Sequence, residues 1–115
     1  MHEVSIVSSI VRTLELEFEE AKLERMKAIH LKVGILSNIE PRLLYNAYQA
    51  YNHPGSKYHQ VALNIESVPI SISCDFCGHV TEVQQYKFSC ENCGRPSKNI
   101  LTGEEMLIHK VEFED

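Results

Sequence analysis

The sequence predicts an α+β fold in which two helices lie on a three-stranded sheet, with a cysteine-rich ribbon module inserted into the chain. Three observations carry this. Apolar residues recur at helical spacing in two segments, 4–21 and 41–51. They alternate with polar ones in three others, 28–36, 61–65 and 106–113. Between about 70 and 103 the character changes to paired cysteines, glycines and few large apolar groups.

In the first helix Val4, Val7, Ile10, Val11, Leu14, Phe18 and Ala21 share one face, and Arg12, Glu15, Glu19 and Glu20 lie away from it. Leu16 falls on the far side, as an exposed apolar spot or part of a contact surface. In the strand that follows, Ile29, Leu31, Val33 and Ile35 take one face, with His30, Lys32 and Gly34 on the other. Pro41 suits the first turn of a second helix, whose stripe is Leu43, Leu44, Ala47, Tyr48 and Tyr51. A His53-Pro54-Gly55-Ser56 turn leads to a strand carrying Val61, Leu63 and Ile65 and closing near Pro69. Met106 to Phe113 reads as a last strand.

Two strands alone leave too little sheet for the helices to cover, so residues 104–115 are expected to return to it. The predicted division is therefore residues 1–69 with 104–115 as one α+β domain, and 70–103 as an insertion tethered at both ends.

Composition limits the function classes. The chain of 115 residues has 16 acids against 11 bases, a formal net charge of -5, which argues against nucleic acid as a partner. No apolar run reaches the roughly eighteen residues of a membrane span. The Met-His-Glu-Val-Ser start lacks a secretory pattern, so a cytoplasmic location is expected. Thiols are kept reduced there, and four cysteines then point to metal ligation before disulfides.

Those cysteines form two C-x-x-C pairs, Cys74 with Cys77 and Cys90 with Cys93, each followed by a glycine, Gly78 and Gly94. Thiolates three positions apart on a tight turn can face one ion, and glycine lets the turn take positive φ. Two such knuckles complete a tetrahedral S₄ shell, the closed geometry of a structural zinc ribbon. Disulfides, an iron centre of the same ligand set and a redox C-x-x-C are the competing readings; zinc fits the pattern best. His79, beside the first knuckle, reads as a solvated turn residue, or as a hydrogen-bonding neighbour or replacement ligand of the site.

Met1-His2-Glu3 is the second feature with chemistry in it. The terminal amine, the His2 amide nitrogen and its imidazole Nδ1 can grip one ion in adjoining chelate rings, with Glu3 as a further donor. Deprotonated amides suit nickel(II) or copper(II) in square-planar nitrogen fields. Protons compete, since the amine titrates at about 7.7–8.0. From residue types alone a histidine at position 2 reads first as a mobile terminal side chain, with metal ligation the lesser reading. His30, His53 and His59 read as surface residues, and His109 as a packed strand residue among Leu107, Val111 and Phe113. No nucleophile with a positioned base and no phosphate loop stands out, so the chain is not read as an enzyme.

The combination of Met1-His2-Glu3, the strand ending Val33-Gly34-Ile35-Leu36-Ser37, the two knuckles, and Gly103-Glu104-Glu105-Met106 near the end resembles the HypA/HybF family. These are nickel-incorporation proteins of [NiFe]-hydrogenase maturation, and the resemblance runs over essentially the whole chain. It implies that Met1 (through its amine), His2 and Glu3 hold Ni(II) as transient cargo, with His2 the principal ligand. It also implies that Cys74, Cys77, Cys90 and Cys93 hold a structural Zn(II). The partners it implies are a HypB-type nickel-binding GTPase, the [NiFe]-hydrogenase large subunit and, in some bacteria, urease accessory proteins. The rival reading is a zinc-ribbon module for protein or nucleic-acid contacts with no nickel role. Monomer and homodimer are both compatible with the sequence.

Overall fold

The computed structural model describes residues 3–115. Helix α1 spans Glu3–Glu17, a one-turn helix α2 spans Glu20–Leu23, strand β1 runs Met26–Gly34, and α3 runs Pro41–Tyr51. Strand β2 (Ala62–Val68) precedes three short strands, β3 (Ser71–Ser73), β4 (Val80–Glu82) and β5 (Ile100–Thr102), and β6 (Met106–Phe113) closes the chain. Two separate three-stranded sheets result, ordered β2-β1-β6 and β4-β3-β5.

In the first sheet β1 is central. It pairs parallel with β2, to which α3 connects it, and antiparallel with β6. Pro41 opens α3 as expected, and the Glu40 carboxylate accepts from the Arg42 amide to cap it. Ile29, Leu31 and Val33 point from β1 into a core completed by Val7, Ile10 and Leu14 of α1 and Leu44 and Tyr48 of α3. At 25 cal/mol per Å², each such buried side chain contributes about 1.5–3 kcal/mol over leaving it exposed. The buried Tyr48 hydroxyl donates to the Val61 carbonyl at 2.8 Å, which ties α3 to the start of β2.

Four expectations shift. The core face of α1 is Ile6, Val7, Ile10, Val11 and Leu14; Val4 is 60% exposed. The helix breaks after Glu17, so Phe18 reaches the core from the connection, edge-on to Phe113 with ring centroids 5.1 Å apart. The first strand ends at Gly34, and Ile35–Ser37 is a 3₁₀ turn that leaves Ile35 exposed. Most informative is β6, which carries a bulge: His30 pairs with Lys110 and the next residue, Leu31, with Ile108. His109 is the extra residue. It is therefore exposed rather than packed, and the core-facing set becomes Met106, Ile108, Val111 and Phe113.

The second sheet has its own small core of Ile70, Ile72 and Val83, joined by Phe88, Ile100 and Leu36. Leu36 comes from the 3₁₀ turn after β1, so the two sheets share a side chain. Beside it, Gly34 donates its amide to Glu105 and Leu36 donates to Gly103, both at 2.7 Å.

Candidate metal centre

The four cysteine Sγ atoms converge, all within 4.8 Å of one another. Cys74 and Cys93 are 3.5 Å apart, and Cys77 and Cys90 3.6 Å. A disulfide needs about 2.05 Å, so these sulfurs are not bonded to each other. A tetrahedral ion with bonds of about 2.3 Å to sulfur sets its ligands about 3.8 Å apart, and the cluster fits that cage.

Local backbone explains the convergence. In each knuckle the first cysteine's carbonyl accepts from the glycine amide, Gly78 to Cys74 at 2.9 Å and Gly94 to Cys90 at 2.8 Å. Each first cysteine then donates its own amide two residues past its pair, Cys74 to His79 and Cys90 to Arg95. Closing so tight a turn requires positive φ, which Gly78 (76°) and Gly94 (80°) supply. Cys74 and Cys90, the first of each pair, are buried; Cys77 and Cys93 are exposed.

Other main-chain amides of the knuckles set the charge. Main-chain N–H groups, of Cys77 and Phe76 at Cys74 and above all of Cys93 at Cys90, hold both inner thiols below the usual range, Cys90 at about 6. At Cys93, exposed as a residue, the Arg95 amide favours the thiolate, but partial desolvation of its sulfur within the cluster and the surrounding sulfurs outweigh it and push the thiol up to about 11. Four thiolates this close repel one another, and a divalent cation is what lets all four ionise together.

Around the sulfurs the knuckles hold each other crosswise. His79, after the first, meets the Glu91 carboxylate inside the second at 2.8 Å. Arg95, after the second, lies 4.2 Å over the ring of Phe76 inside the first. Asn92 donates its side-chain amide to Cys77 Sγ at 3.6 Å. The sequence offered His79 as a turn residue, a hydrogen-bonding neighbour or a replacement ligand; its carboxylate partner twelve residues on carries no sequence signal.

Glu3 is the first residue of α1, while Met1 and His2 lie outside the described residues. The remaining histidines stand apart from the cysteines. His30 is largely covered and bonds Glu112 Oε1 at 2.6 Å, and His53, His59 and His109 are exposed. Among the described residues the four cysteines form the one such cluster of metal-ligating groups, and no helix is long and apolar enough to cross a membrane.

By fold and site this is thus a small α+β protein with a four-thiol ribbon, suited to a metal ion, strung between two strands of its main sheet. Over residues 1–113 the chain matches the family model described as hydrogenase/urease nickel incorporation, metallochaperone, and it belongs to that HypA family. It is 31% identical to the hydrogenase maturation factor HypA of Roseiflexus sp., covering 100% of this chain and 94% of that protein. With the factors of the same name from Shewanella halifaxensis and Aquifex aeolicus it shares 30% and 29%, covering 99% of this chain and 98% of each. Its fold is that of two solution structures, each 24% identical. The nickel metallochaperone HypA of Helicobacter pylori gives a TM-score of 0.64, covering 98% of this chain and 97% of that one. A second HypA gives 0.67, covering 99% and 97%.

Proposed function

We propose that this chain carries Ni(II) on its N-terminal tripeptide and hands it on during [NiFe]-hydrogenase maturation, with Zn(II) held permanently by Cys74, Cys77, Cys90 and Cys93. The observation that carries the reading is the family match, which begins at residue 1 and so takes in Met1-His2-Glu3 together with both knuckles. The Met1 amine, the amide and imidazole of His2, and Glu3 supply the nickel donors. All lie next to one another in sequence, so no folding cost is needed to assemble them.

Release is built into the same place. A cation at the N-terminal end of α1 meets the positive end of the helix dipole, which Glu3 at the head of that helix partly offsets. That opposition weakens the grip and suits a carrier, which must give up its cargo. The recipients are a HypB-type GTPase and the hydrogenase large subunit, with urease accessory proteins as a further route, and the work is cytoplasmic. No catalytic step is involved.

Zinc supplies no chemistry to the transfer. It neutralises four thiolates and folds residues 70–103 as a module separate from the α+β domain of residues 1–69 and 104–115. Cobalt(II) substitution reads that ligand set directly, because four thiolates give it an intense tetrahedral spectrum. The carrier reading is tested by titrating nickel into the zinc-loaded protein, His2→Ala and a form extended before Met1. One site in the first and none in the other two is expected. Equal stoichiometry and affinity in all three leaves a zinc-ribbon adaptor with no nickel role.

A further inference from the structure

The two knuckles share one main-chain fold, which matches Cys74 with Cys90, Phe76 with Asn92 and Cys77 with Cys93. Side chains break that symmetry at the outer sulfurs. Asn92 reaches across to the first knuckle and donates its side-chain amide to Cys77 Sγ at 3.6 Å. Phe76, its counterpart, has no donor to offer Cys93, and its ring lies under the Arg95 guanidinium instead. Cys74 and Cys90 are buried, while Cys77 and Cys93 are exposed. Among the described residues Cys93 is therefore the one cysteine that is both open to solvent and without a side-chain amide on its sulfur.

We propose that Cys93 is the site at which a peroxide modifies this chain, with Cys74 as the thiol that resolves it. On the reading that zinc holds all four sulfurs as thiolates, exposure and hydrogen bonding rank their reactivity. A hydrogen bond to a thiolate draws on its charge and blunts its attack on an electrophile, which Asn92 does at Cys77. Cys93 has no such guard. The two facing pairs are equally close, Cys74 with Cys93 at 3.5 Å and Cys77 with Cys90 at 3.6 Å. Distance does not choose between them; the Asn92 amide does.

The chemistry balances in two displacements. Cys93 Sγ attacks one oxygen of hydrogen peroxide, an S–O bond forms, the O–O bond breaks and hydroxide leaves. Cys74 Sγ then attacks the sulfenic sulfur, the S–S bond forms, the S–O bond breaks and a second hydroxide leaves. Two thiolates give up one electron each, and one peroxide becomes two waters with two protons from solvent. The cage is left with Cys77 and Cys90, two of the four ligands that a closed tetrahedral site needs. Residues 70–103 then lose the metal that folds them.

Substoichiometric hydrogen peroxide on the zinc-loaded full chain tests this, with disulfides mapped by peptide mass spectrometry and released zinc read with a colorimetric chelator. Zinc content is measured first: a chain that purifies without one ion overturns the metal reading, and this proposal with it. In the initial phase the Cys74–Cys93 disulfide is expected to form about three- to tenfold faster than Cys77–Cys90, the effect of one hydrogen bond. Asn92→Leu and Asn92→Ala remove the guard and are expected to raise the Cys77–Cys90 rate by about the same factor. Phe76→Asn supplies the missing donor and is expected to slow the attack at Cys93. Each variant is compared at one zinc per chain, which also reports that its ribbon is folded. Equal initial rates at the two pairs of the unaltered chain overturn the proposal, as does Cys77 reacting first or a ratio that none of the substitutions moves.

Discussion

Gly34 and Gly103 meet so closely that a Cβ on Gly34 would fall 2.1 Å from the carbonyl carbon and oxygen of Gly103. Gly103 in turn holds φ at 114°, and its own Cβ would press on the Ile70 backbone at 3.0 Å. These two residues are the junction between the sheets, where β1 ends and the ribbon rejoins β6. Backbone touches backbone there, so no side-chain movement can relieve an added atom.

Gly34→Ala is therefore expected to lower stability by about 3 kcal/mol, near the top of the range for overpacking. Urea unfolding measures it. The cysteine cluster is not displaced, so zinc content should stay at one ion per chain; loss of zinc together with stability would mean that the junction also shapes the metal cage.

Removal of the metal is expected to unfold the ribbon alone. Its core is three buried residues with Leu36, Phe88 and Ile100, too small to stand by itself, whereas a thiolate zinc site contributes on the order of 10 kcal/mol. Cys90→Ser should release amide protection in residues 70–103. The helical signal at 222 nm, which comes from α1 and α3, should survive.

The Tyr48 hydroxyl is buried against the Val61 carbonyl, and burial pushes its pKa up to about 12. Tyr48→Phe leaves that carbonyl without its donor inside the core. A loss of about 1–3 kcal/mol is expected in urea unfolding, the cost of an unanswered buried acceptor.

Glu112 predicts a pH dependence. The hydrogen bond from His30, helped by Lys110 and Lys27, holds its carboxyl below the ordinary value of 4.5. A depressed carboxyl stabilises the fold above its unfolded pKa, and that contribution is lost as pH falls through the folded one. The stability gap between the protein and Glu112→Gln should thus be full above about pH 5 and close as the solution is acidified. Urea midpoints from pH 3 to 7 read this; a gap that widens in acid would reverse the assigned sign.

Much of this could be read along the chain. The two knuckles and their glycines name the four thiols that converge, because C-x-x-C closes through hydrogen bonds within six residues and needs little from the rest of the fold. Pro41 and the alternation in β1 and β2 are local in the same sense. The phase of β6 is not. Leu107, His109, Val111 and Phe113 alternate cleanly in sequence, yet the bulge opposite His30 shifts the first half by one residue and exposes both Leu107 and His109. Periodicity likewise placed Val4 on the core face and overlooked Ile6, since the apolar residues of α1 admit more than one stripe and packing against α3 and the sheet selects among them.

The sequence by itself determined the four-thiol cluster and the class of fold, both matters of neighbours and short spacings. Tertiary structure alone decided that Gly34 abuts Gly103, that His79 answers Glu91, and that His30 rests on Glu112. Those contacts join residues 69, 12 and 82 positions apart. Only the folded arrangement of strands and knuckles brings them within reach, and one-dimensional periodicity carries no record of it.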